Sequence, residues 1–221
     1  MTSPVEDPHA GARVLTRGVA AEDATLGLIL LHGRGAPASD ILHLGELIAP
    51  PGSYVVGPQA VGHAWYPAGF MAPLEANRPW LDSALSLVER LVVELEGDGL
   101  DRSRIALGGF SQGACLALEF AARRTGRWAA VIAYSGGLIG PPGTALVKGG
   151  SLAGTPVLMG CSDMDPHIPL ERVHDTATAL EEMEARVDER IYPGMGHTVN
   201  DDEVAAGREL LASAATATTR E

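Results

Sequence analysis

Short apolar runs that end in glycine or a polar residue recur along this chain, and amphipathic stretches separate them. The apolar runs occupy residues 25–33, 53–59, 104–110, 129–136, 155–163 and 185–194. Most are too short for buried helices and lie between turn residues, so they predict buried strands. Helical spacing of apolar residues is found at 80–95, 112–124, 170–185 and after Asn200. This alternation predicts an α/β fold with a mainly parallel central sheet and helices on both faces.

The length of 221 residues and the hydrophobic content of 46% suit one domain with a substantial core. We expect a flexible N-terminal tail over residues 1–12 and a single domain over residues 13–221. Ligands of parallel sheets bind at the carboxyl ends of the strands. Functional residues are therefore expected directly after the strands and in two long loops, residues 60–79 and 136–154.

The charge of the chain bears on its partners. It has 28 acidic and 16 basic residues, which gives a net charge of −12. Such a chain repels nucleic acid and anionic lipid, so we expect no nucleic-acid partner and no stable membrane association. The first residues do not resemble a secretory signal, and Cys115 and Cys161 are too few for a disulfide framework. A cytoplasmic location with reduced thiols is the expectation.

The first candidate for chemistry is the segment GFSQG at residues 109–113, which follows the predicted strand 104–110. A G-x-S-x-G between a strand and a helix is typical of the nucleophile elbow of the α/β-hydrolase fold, where glycines permit a sharp turn that exposes the serine oxygen. A plain glycine-rich turn has the same composition, but the flanking strand and apolar helix favour the elbow. Ser111 is therefore the predicted nucleophile.

A serine nucleophile needs a base and an acid, which follow it in the order Asp or Glu, then His. Asp163 and Asp165 come at the end of the strand 155–163, and His197 follows the next predicted strand. The proline after Asp165 holds that residue extended, which by itself does not decide between the two aspartates. Ser111, His197 and one of these aspartates are thus expected to meet at the carboxyl edge of the sheet.

Two other histidines are weaker candidates for the base. His167 lies only two residues beyond Asp165, and His174 falls inside a predicted helix. Neither position suits a side chain that must reach both the serine and the acid from a separate loop.

Hydrolysis through a tetrahedral intermediate also needs two main-chain N–H donors for the oxyanion. One donor is the residue after the nucleophile, here Gln112, and the other comes from a loop after an early strand. Arg34 lies in such a loop between Gly33 and Gly35. The segment has no G-x-G-x-x-G pattern and no Lys-Ser/Thr ending, so it does not indicate a phosphate site.

Several blocks together resemble the phospholipase/carboxylesterase family, which includes the acyl-protein thioesterases. The blocks are LHGRGA, GPQAVGHAWYPAGFMAPLEANRPWLDSAL, GGFSQGA, SGGLIG, SLAGTPVLMGCSDMDPHIP and GMGHTV. The resemblance implies a triad of Ser111, Asp165 and His197 and oxyanion donors at Arg34 and Gln112. It further implies hydrolysis of carboxylic esters with no metal and no cofactor, and a homodimer.

The substrate is expected to be a small ester with a short or medium acyl chain. Side chains of the loop 60–79 and two residues beyond it are candidate pocket residues: Trp65, Phe70, Met71, Leu74, Leu138 and Ile168. Eukaryotic thioesterases of the family usually carry leucine at the position of Arg34. The arginine makes this segment more similar to the bacterial members. The alternatives are a lysophospholipase or acyl thioesterase with the same triad and a ligand-binding module without catalysis.

Overall fold

The computed structural model describes residues 7–217, which form a seven-stranded sheet with the strand order β1-β3-β2-β4-β5-β6-β7. Only β1 pairs antiparallel, with β3, and all other neighbours are parallel. The strands are β1 Val14–Gly18, β2 Leu26–Leu31, β3 Ser53–Pro58, β4 Ile105–Phe110, β5 Ala130–Tyr134, β6 Pro156–Ser162 and β7 Arg186–Tyr192. The predicted α/β-hydrolase fold is confirmed by this architecture.

Helices cover both faces of the sheet. They are α1 Ala38–Ile48, α2 Trp80–Gly97, α3 Gln112–Arg123, α4 Leu170–Glu182 and α5 Asp201–Ala217. Helices α1 and α5 pack together on one face, and α2, α3 and α4 contribute to the core on the other. The chain thus forms three layers, as the alternation of strands and helices predicts.

Strand β2 shows why the sheet is buried on both sides. Its sequence LGLILL is fully buried, and successive side chains enter different cores. Leu28 and Leu30 belong to the core under α1 and α5, whereas Ile29 and Leu31 belong to the core under the other three helices. Because side chains of a strand alternate between faces, a continuous apolar run is what a central parallel strand requires.

Two elements have no counterpart among the sequence predictions. Strand β1 is a short, mostly exposed edge strand with the sequence VLTRG, which lacks an apolar run. Helix α1 begins after Pro37 without a side-chain cap, and Gly45 lies inside it. Addition of a Cβ to Gly45 would place that atom 2.8 Å from Leu30 Cδ1, so the glycine allows α1 to approach the sheet closely.

The predicted flexible tail over residues 1–12 is wrong for residues 7–12. His9 is fully buried, and its ring lies against the rings of Trp65 and Trp80. Its main-chain N–H donates to Ser83 Oγ at 2.8 Å, and its Nε2 lies 3.0 Å from the carbonyl oxygen of Trp65. These buried hydrogen bonds tie the segment to the domain. Residues 1–6 and 218–221 lie outside the described part of the chain.

The start of α5 carries a reciprocal capping box, which confirms the predicted cap at Asn200. The main-chain N–H of Glu203 donates to Asn200 Oδ1 at 2.9 Å, and that of Asn200 donates to Glu203 Oε2 at 2.9 Å. Glu203 is fully buried against Gly160 of β6, and its Oε1 has no hydrogen-bond partner among the described residues. Burial outweighs the hydrogen bond from Asn200 and raises the pKa of Glu203 to about 7.

Over residues 7–217, none of the helices has both the length and the apolar character that crossing a membrane demands.

The buried carboxyl group of Glu203 predicts that the stability of the protein depends on pH. The folded protein holds the Glu203 proton up to a pH of about 7, whereas the unfolded chain releases it near 4.5. The free energy of unfolding should therefore fall as pH rises between these values, by on the order of 2–3 kcal/mol. We expect Glu203→Gln to lose this part of the pH dependence in urea unfolding at pH 5 and pH 8. Equal pH dependence of the variant and the wild type would contradict the prediction, and Glu209→Gln, on the exposed side of α5, is the control.

Candidate active site

The turn between β4 and α3 presents Ser111 at the carboxyl edge of the sheet. Strand β4 ends at Phe110 and α3 begins at Gln112, so a single residue makes the turn. Ser111 has φ 56° and ψ −121°, a conformation that side-chain-bearing residues rarely adopt. Its side chain is half-buried and faces a cleft. This geometry is that of a nucleophile elbow.

The glycines on both sides of the serine are required by close packing. A Cβ on Gly109 would lie 2.6 Å from the carbonyl carbon of Gly113 and 2.6 Å from the carbonyl oxygen of Leu31. A Cβ on Gly113 would lie 2.0 Å from the same Leu31 oxygen. The beginning of α3 therefore lies directly against the end of β2, and no larger side chain fits between them.

The structure brings Ser111, His197 and Asp165 into one hydrogen-bonded row. His197 Nε2 lies 2.8 Å from Ser111 Oγ, and His197 Nδ1 lies 2.7 Å from Asp165 Oδ2. Since the carboxylate accepts from the Nδ1–H group, Nε2 is left as the acceptor for the serine proton. The side chain of Asp165 is fully buried, and that of His197 is 17% exposed at the cleft.

Asp165 is held as a carboxylate by its hydrogen bonds. Burial alone would raise its pKa, but the bond from His197 and two main-chain N–H donors outweigh that effect and lower it. The two donors are the amides of His167 and Ile168, at 2.8 and 3.0 Å from Oδ1. Asp163 has a different contact, in which its Oδ1 accepts from the N–H of Gly194 at 2.8 Å.

Aromatic rings flank His197. The ring of Phe110 lies 4.8 Å from the His197 ring between centroids, and the ring of His167 lies edge-on at 4.8 Å. Ser162 Oγ donates to the carbonyl oxygen of Met195 and thereby fixes the start of the His197 loop to the end of β6. The two rings pack against the imidazole, whose two nitrogens are bonded to Asp165 and Ser111. His174, the other weaker candidate, lies away from this site, with its Nδ1 2.8 Å from Glu189.

Arg34 and Gln112 line the same cleft as Ser111. Gln112 is the first residue of α3, where N–H groups have no acceptor within the helix. Arg34 lies in a turn closed by a hydrogen bond from Ala36 N to Gly33 O at 3.2 Å, with Gly35 at φ 82°. The N–H of Gly35 donates to the carbonyl oxygen of His63 at 2.7 Å and attaches this turn to the loop 60–79.

The cleft has a volume of about 420 Å³. Two of the six candidate pocket residues, Phe70 and Ile168, line it together with Tyr66, Cys115 and His167. Cys115 is not a second nucleophile, because burial raises the pKa of its thiol to about 12. The walls are mainly apolar around a few polar groups, as in small-molecule sites.

The other four candidate pocket residues lie elsewhere, which corrects the sequence expectation. Trp65 is fully buried in the core, and its indole N–H donates to the carbonyl oxygen of His32 at 2.8 Å. Leu138 is fully buried in the same core. Leu74 is half-buried and packs against the core on the α2 side of the sheet. Met71 lines a separate cavity of about 190 Å³ beside α4.

Sequence reasoning did not assign Phe110 and His167 to the cleft. Their positions contain the signal, since Phe110 directly precedes the nucleophile and His167 follows the acid by two residues. Both therefore lie at carboxyl ends of strands, where side chains reach a site above the sheet. Among residues 7–217, no group of three or more His, Cys, Asp or Glu side chains is arranged to hold a metal ion.

The fold and this constellation define an α/β-hydrolase. The family model described as Phospholipase/Carboxylesterase matches residues 18–214. The chain therefore belongs to the phospholipase/carboxylesterase family, which places it in a class of carboxylic ester hydrolases.

Relatives of known structure and name are similar over most of the chain. A phospholipase/carboxylesterase from Dyadobacter fermentans is 39% identical, with a TM-score of 0.88 over 91% of this chain and 97% of that one. Acyl-protein thioesterase 1 of Eremothecium gossypii is 26% identical over 81% of this chain and 84% of its own. The match to acyl-protein thioesterase 1 of Saccharomyces cerevisiae, at 29% identity, spans 55% of each chain, about half of that relative's length.

The close packing at the elbow predicts a strong effect of Gly113→Ala. The added Cβ would overlap the Leu31 carbonyl oxygen, so α3 must move away from β2. We expect a loss of stability of about 3 kcal/mol or more and a loss of esterase activity. Urea unfolding and ester hydrolysis measure both. Gly97→Ala, at the end of α2 with no atom within 4 Å of the new Cβ, is the control, and equal behaviour of the two variants would contradict the packing argument.

Proposed function

We propose that this chain is a serine carboxylesterase that hydrolyses short- to medium-chain carboxylic esters through an acyl-enzyme. The observation that carries the proposal is the row Ser111–His197–Asp165, with hydrogen-bond distances of 2.8 and 2.7 Å. These distances are those of a nucleophile, its base and the acid that orients the base.

The chemistry follows from the row. His197 Nε2 takes the proton as Ser111 Oγ attacks the ester carbonyl carbon, and then donates that proton to the leaving alcohol. A water molecule attacks the acyl-enzyme in the second half, with the same histidine as base. Asp165 stabilises the imidazolium that forms in both halves, and its lowered pKa keeps it charged at neutral pH.

The main-chain N–H groups of Arg34 and Gln112 are the proposed oxyanion donors. Both residues line the cleft beside Ser111. The N-terminal end of α3 adds a favourable dipole for the negative oxygen of the tetrahedral intermediate.

The size of the cleft supports a small substrate. A volume of about 420 Å³ is at the low end of small-molecule sites and must hold both the acyl and the alcohol parts. The ring of Phe70 lines the cleft and lies beside Gly137, with its Cε2 3.5 Å from where a Cβ of that glycine would lie. An acyl thioesterase or lysophospholipase is the second candidate, because the curated relatives are named acyl-protein thioesterases.

A cytoplasmic location and a homodimer complete the proposal. The location is supported by the two free, buried cysteines, Cys115 and Cys161, which suit a reducing compartment. The dimer rests on the family alone, and size-exclusion chromatography with light scattering tests it.

The primary test is hydrolysis of p-nitrophenyl esters from acetate to palmitate. We expect activity to peak at short or medium chains and Ser111→Ala to lower kcat by a factor on the order of 10⁴ or more, because the nucleophile is removed. Ser86→Ala, an exposed serine on α2, is the matched control and should retain full activity. Full activity of Ser111→Ala would exclude Ser111 as the nucleophile, and a wild type inactive on every ester would favour a ligand-binding module.

The same ester series tests the role of Phe70. We expect Phe70→Ala to shift the preferred acyl chain to greater length, since loss of the ring enlarges the cleft. Met71→Ala is the control, because Met71 lines a different cavity and should leave the preference unchanged. An unchanged chain-length profile of Phe70→Ala would show that the acyl group does not reach this wall.

A further inference from the structure

The side chain of Arg34 is bound to main-chain carbonyl groups of the loop 60–79. Its guanidinium donates to the carbonyl oxygens of Tyr66 at 2.9 Å, Pro67 at 2.9 Å and Ala68 at 2.6 Å. Three of its five N–H groups are thereby directed at three consecutive residues.

The side chain of Gln112 holds the same stretch of chain. Its Oε1 accepts from the N–H of Trp65 at 2.9 Å, and its Nε2 donates to the carbonyl oxygen of Tyr66 at 2.8 Å. Both contacts are buried. Residues 65–68, which we term the brace segment, are therefore bound at successive main-chain groups by the side chains of Arg34 and Gln112.

The brace segment connects two parts of the site that are otherwise separate in sequence. Arg34 lies in the loop after β2, and Gln112 begins α3. The turn around Arg34 contains Gly35 at φ 82°, which has no atom within 4 Å of its Cβ position. The hydrogen bond from Gly35 N–H to the His63 carbonyl oxygen holds its C-terminal side, and the Arg34 side chain adds a second attachment to the same loop. Glycine permits many conformations, so such a turn keeps one geometry only when other contacts hold it.

We propose that Arg34 and Gln112 are positioning residues. Their side chains form hydrogen bonds with the brace segment and thereby fix their own main-chain N–H groups as oxyanion donors. The inference rests on the proposed function and adds to it a role for the arginine side chain. The oxyanion interaction depends strongly on position, because donors stabilise the transition state only at hydrogen-bond distance from the developing charge. A loosened turn should therefore reduce the rate of the chemical step more than the binding of the ester.

The planar guanidinium suits this task better than an ammonium group. Its N–H groups point in fixed directions and can bind several neighbouring carbonyl oxygens simultaneously, whereas the ammonium group of lysine is a compact charge at the end of a flexible side chain. Arg34→Lys should therefore recover only part of the function that Arg34→Met loses. An activity of Arg34→Lys between those of the wild type and Arg34→Met would show that the directed hydrogen bonds of the guanidinium matter, and not its positive charge alone.

The test is the steady-state kinetics of Arg34→Met on a short p-nitrophenyl ester. We expect the kcat of Arg34→Met to be about 10- to 100-fold below that of the wild type, with KM nearly unchanged. The kcat of Arg34→Lys should lie between those of Arg34→Met and the wild type. Guanidinium chloride, added far below denaturing concentrations, should restore part of kcat in Arg34→Met and none in the wild type. Sodium chloride at equal concentration is the salt control.

Arg127→Met is the matched arginine control. Arg127 also donates to two main-chain carbonyl oxygens, those of Ala153 and Gly154, but it precedes β5 at the opposite edge of the sheet. We expect its kcat and KM to equal those of the wild type. If Arg34→Met does not fold, as judged by its thermal unfolding, the same comparison of kcat and KM is made on Arg34→Lys.

The outcomes separate this inference from the proposed function. An unchanged kcat in Arg34→Met, or a raised KM at constant kcat, would overturn the positioning role while hydrolysis by Ser111 still stands. Absence of guanidinium rescue together with equal losses in Arg34→Lys and Arg34→Met would also contradict it. Failure of the wild type to hydrolyse any ester would instead reject the proposed function.

Discussion

The contact between the start of α3 and the end of β2 is the constraint on which the site depends. The Leu31 carbonyl oxygen lies where a Cβ of either Gly109 or Gly113 would have to be, at 2.6 and 2.0 Å. Only glycines allow the helix to approach so closely, and the approach forces the intervening Ser111 into a conformation with positive φ. The sheet and helix thereby present the serine oxygen above the strand ends, and the stability of the surrounding core compensates for the strain.

The register of the parallel strands places their carboxyl ends at the same edge of the sheet as Ser111. Leu31 pairs with Gly109, and Ser162 pairs with Tyr192, so the ends of β2, β4, β6 and β7 lie at one edge. Asp165 and His197 are delivered from the loops after β6 and β7, within reach of the serine. Each functional group is thus supplied by a loop that begins at a rigid strand end, which keeps the distances of 2.7 and 2.8 Å.

Polar side chains restrain the irregular part of the site. The loop 60–79 has no regular hydrogen bonding beyond short turns, yet Gln112 and Arg34 bind its main chain at residues 65–68. Asn77 contributes from within the loop, with its Oδ1 accepting from the N–H of Ala68 and its Nδ2 donating to the Gly69 carbonyl oxygen. A loop held in this way acts as a fixed wall of the cleft.

The parts of the fold that follow periodic patterns could be predicted from the sequence. Strands β2 to β6 are apolar runs, and the candidate catalytic residues follow strands, so both were expected. Strand β7 was also expected, but its predicted burial is wrong, because it lies at the edge of the sheet and all its residues are at least partly exposed. Edge strand β1 escapes prediction because its exposed side chains show no apolar run. Which aromatic residues of the loop 60–79 face the cleft was not predictable, because hydrogen bonds such as that from Trp65 to His32 decide it.

The proposed hydrolysis requires that His197 activate Ser111, and covalent labelling of the serine measures this activation. A fluorophosphonate probe, followed by mass spectrometry of the digested protein, reports which residue is modified. We expect a single adduct on Ser111 in the wild type, formed much more slowly in His197→Ala because the base is absent. An adduct at another residue, or equal labelling rates of Ser111 with and without His197, would contradict it.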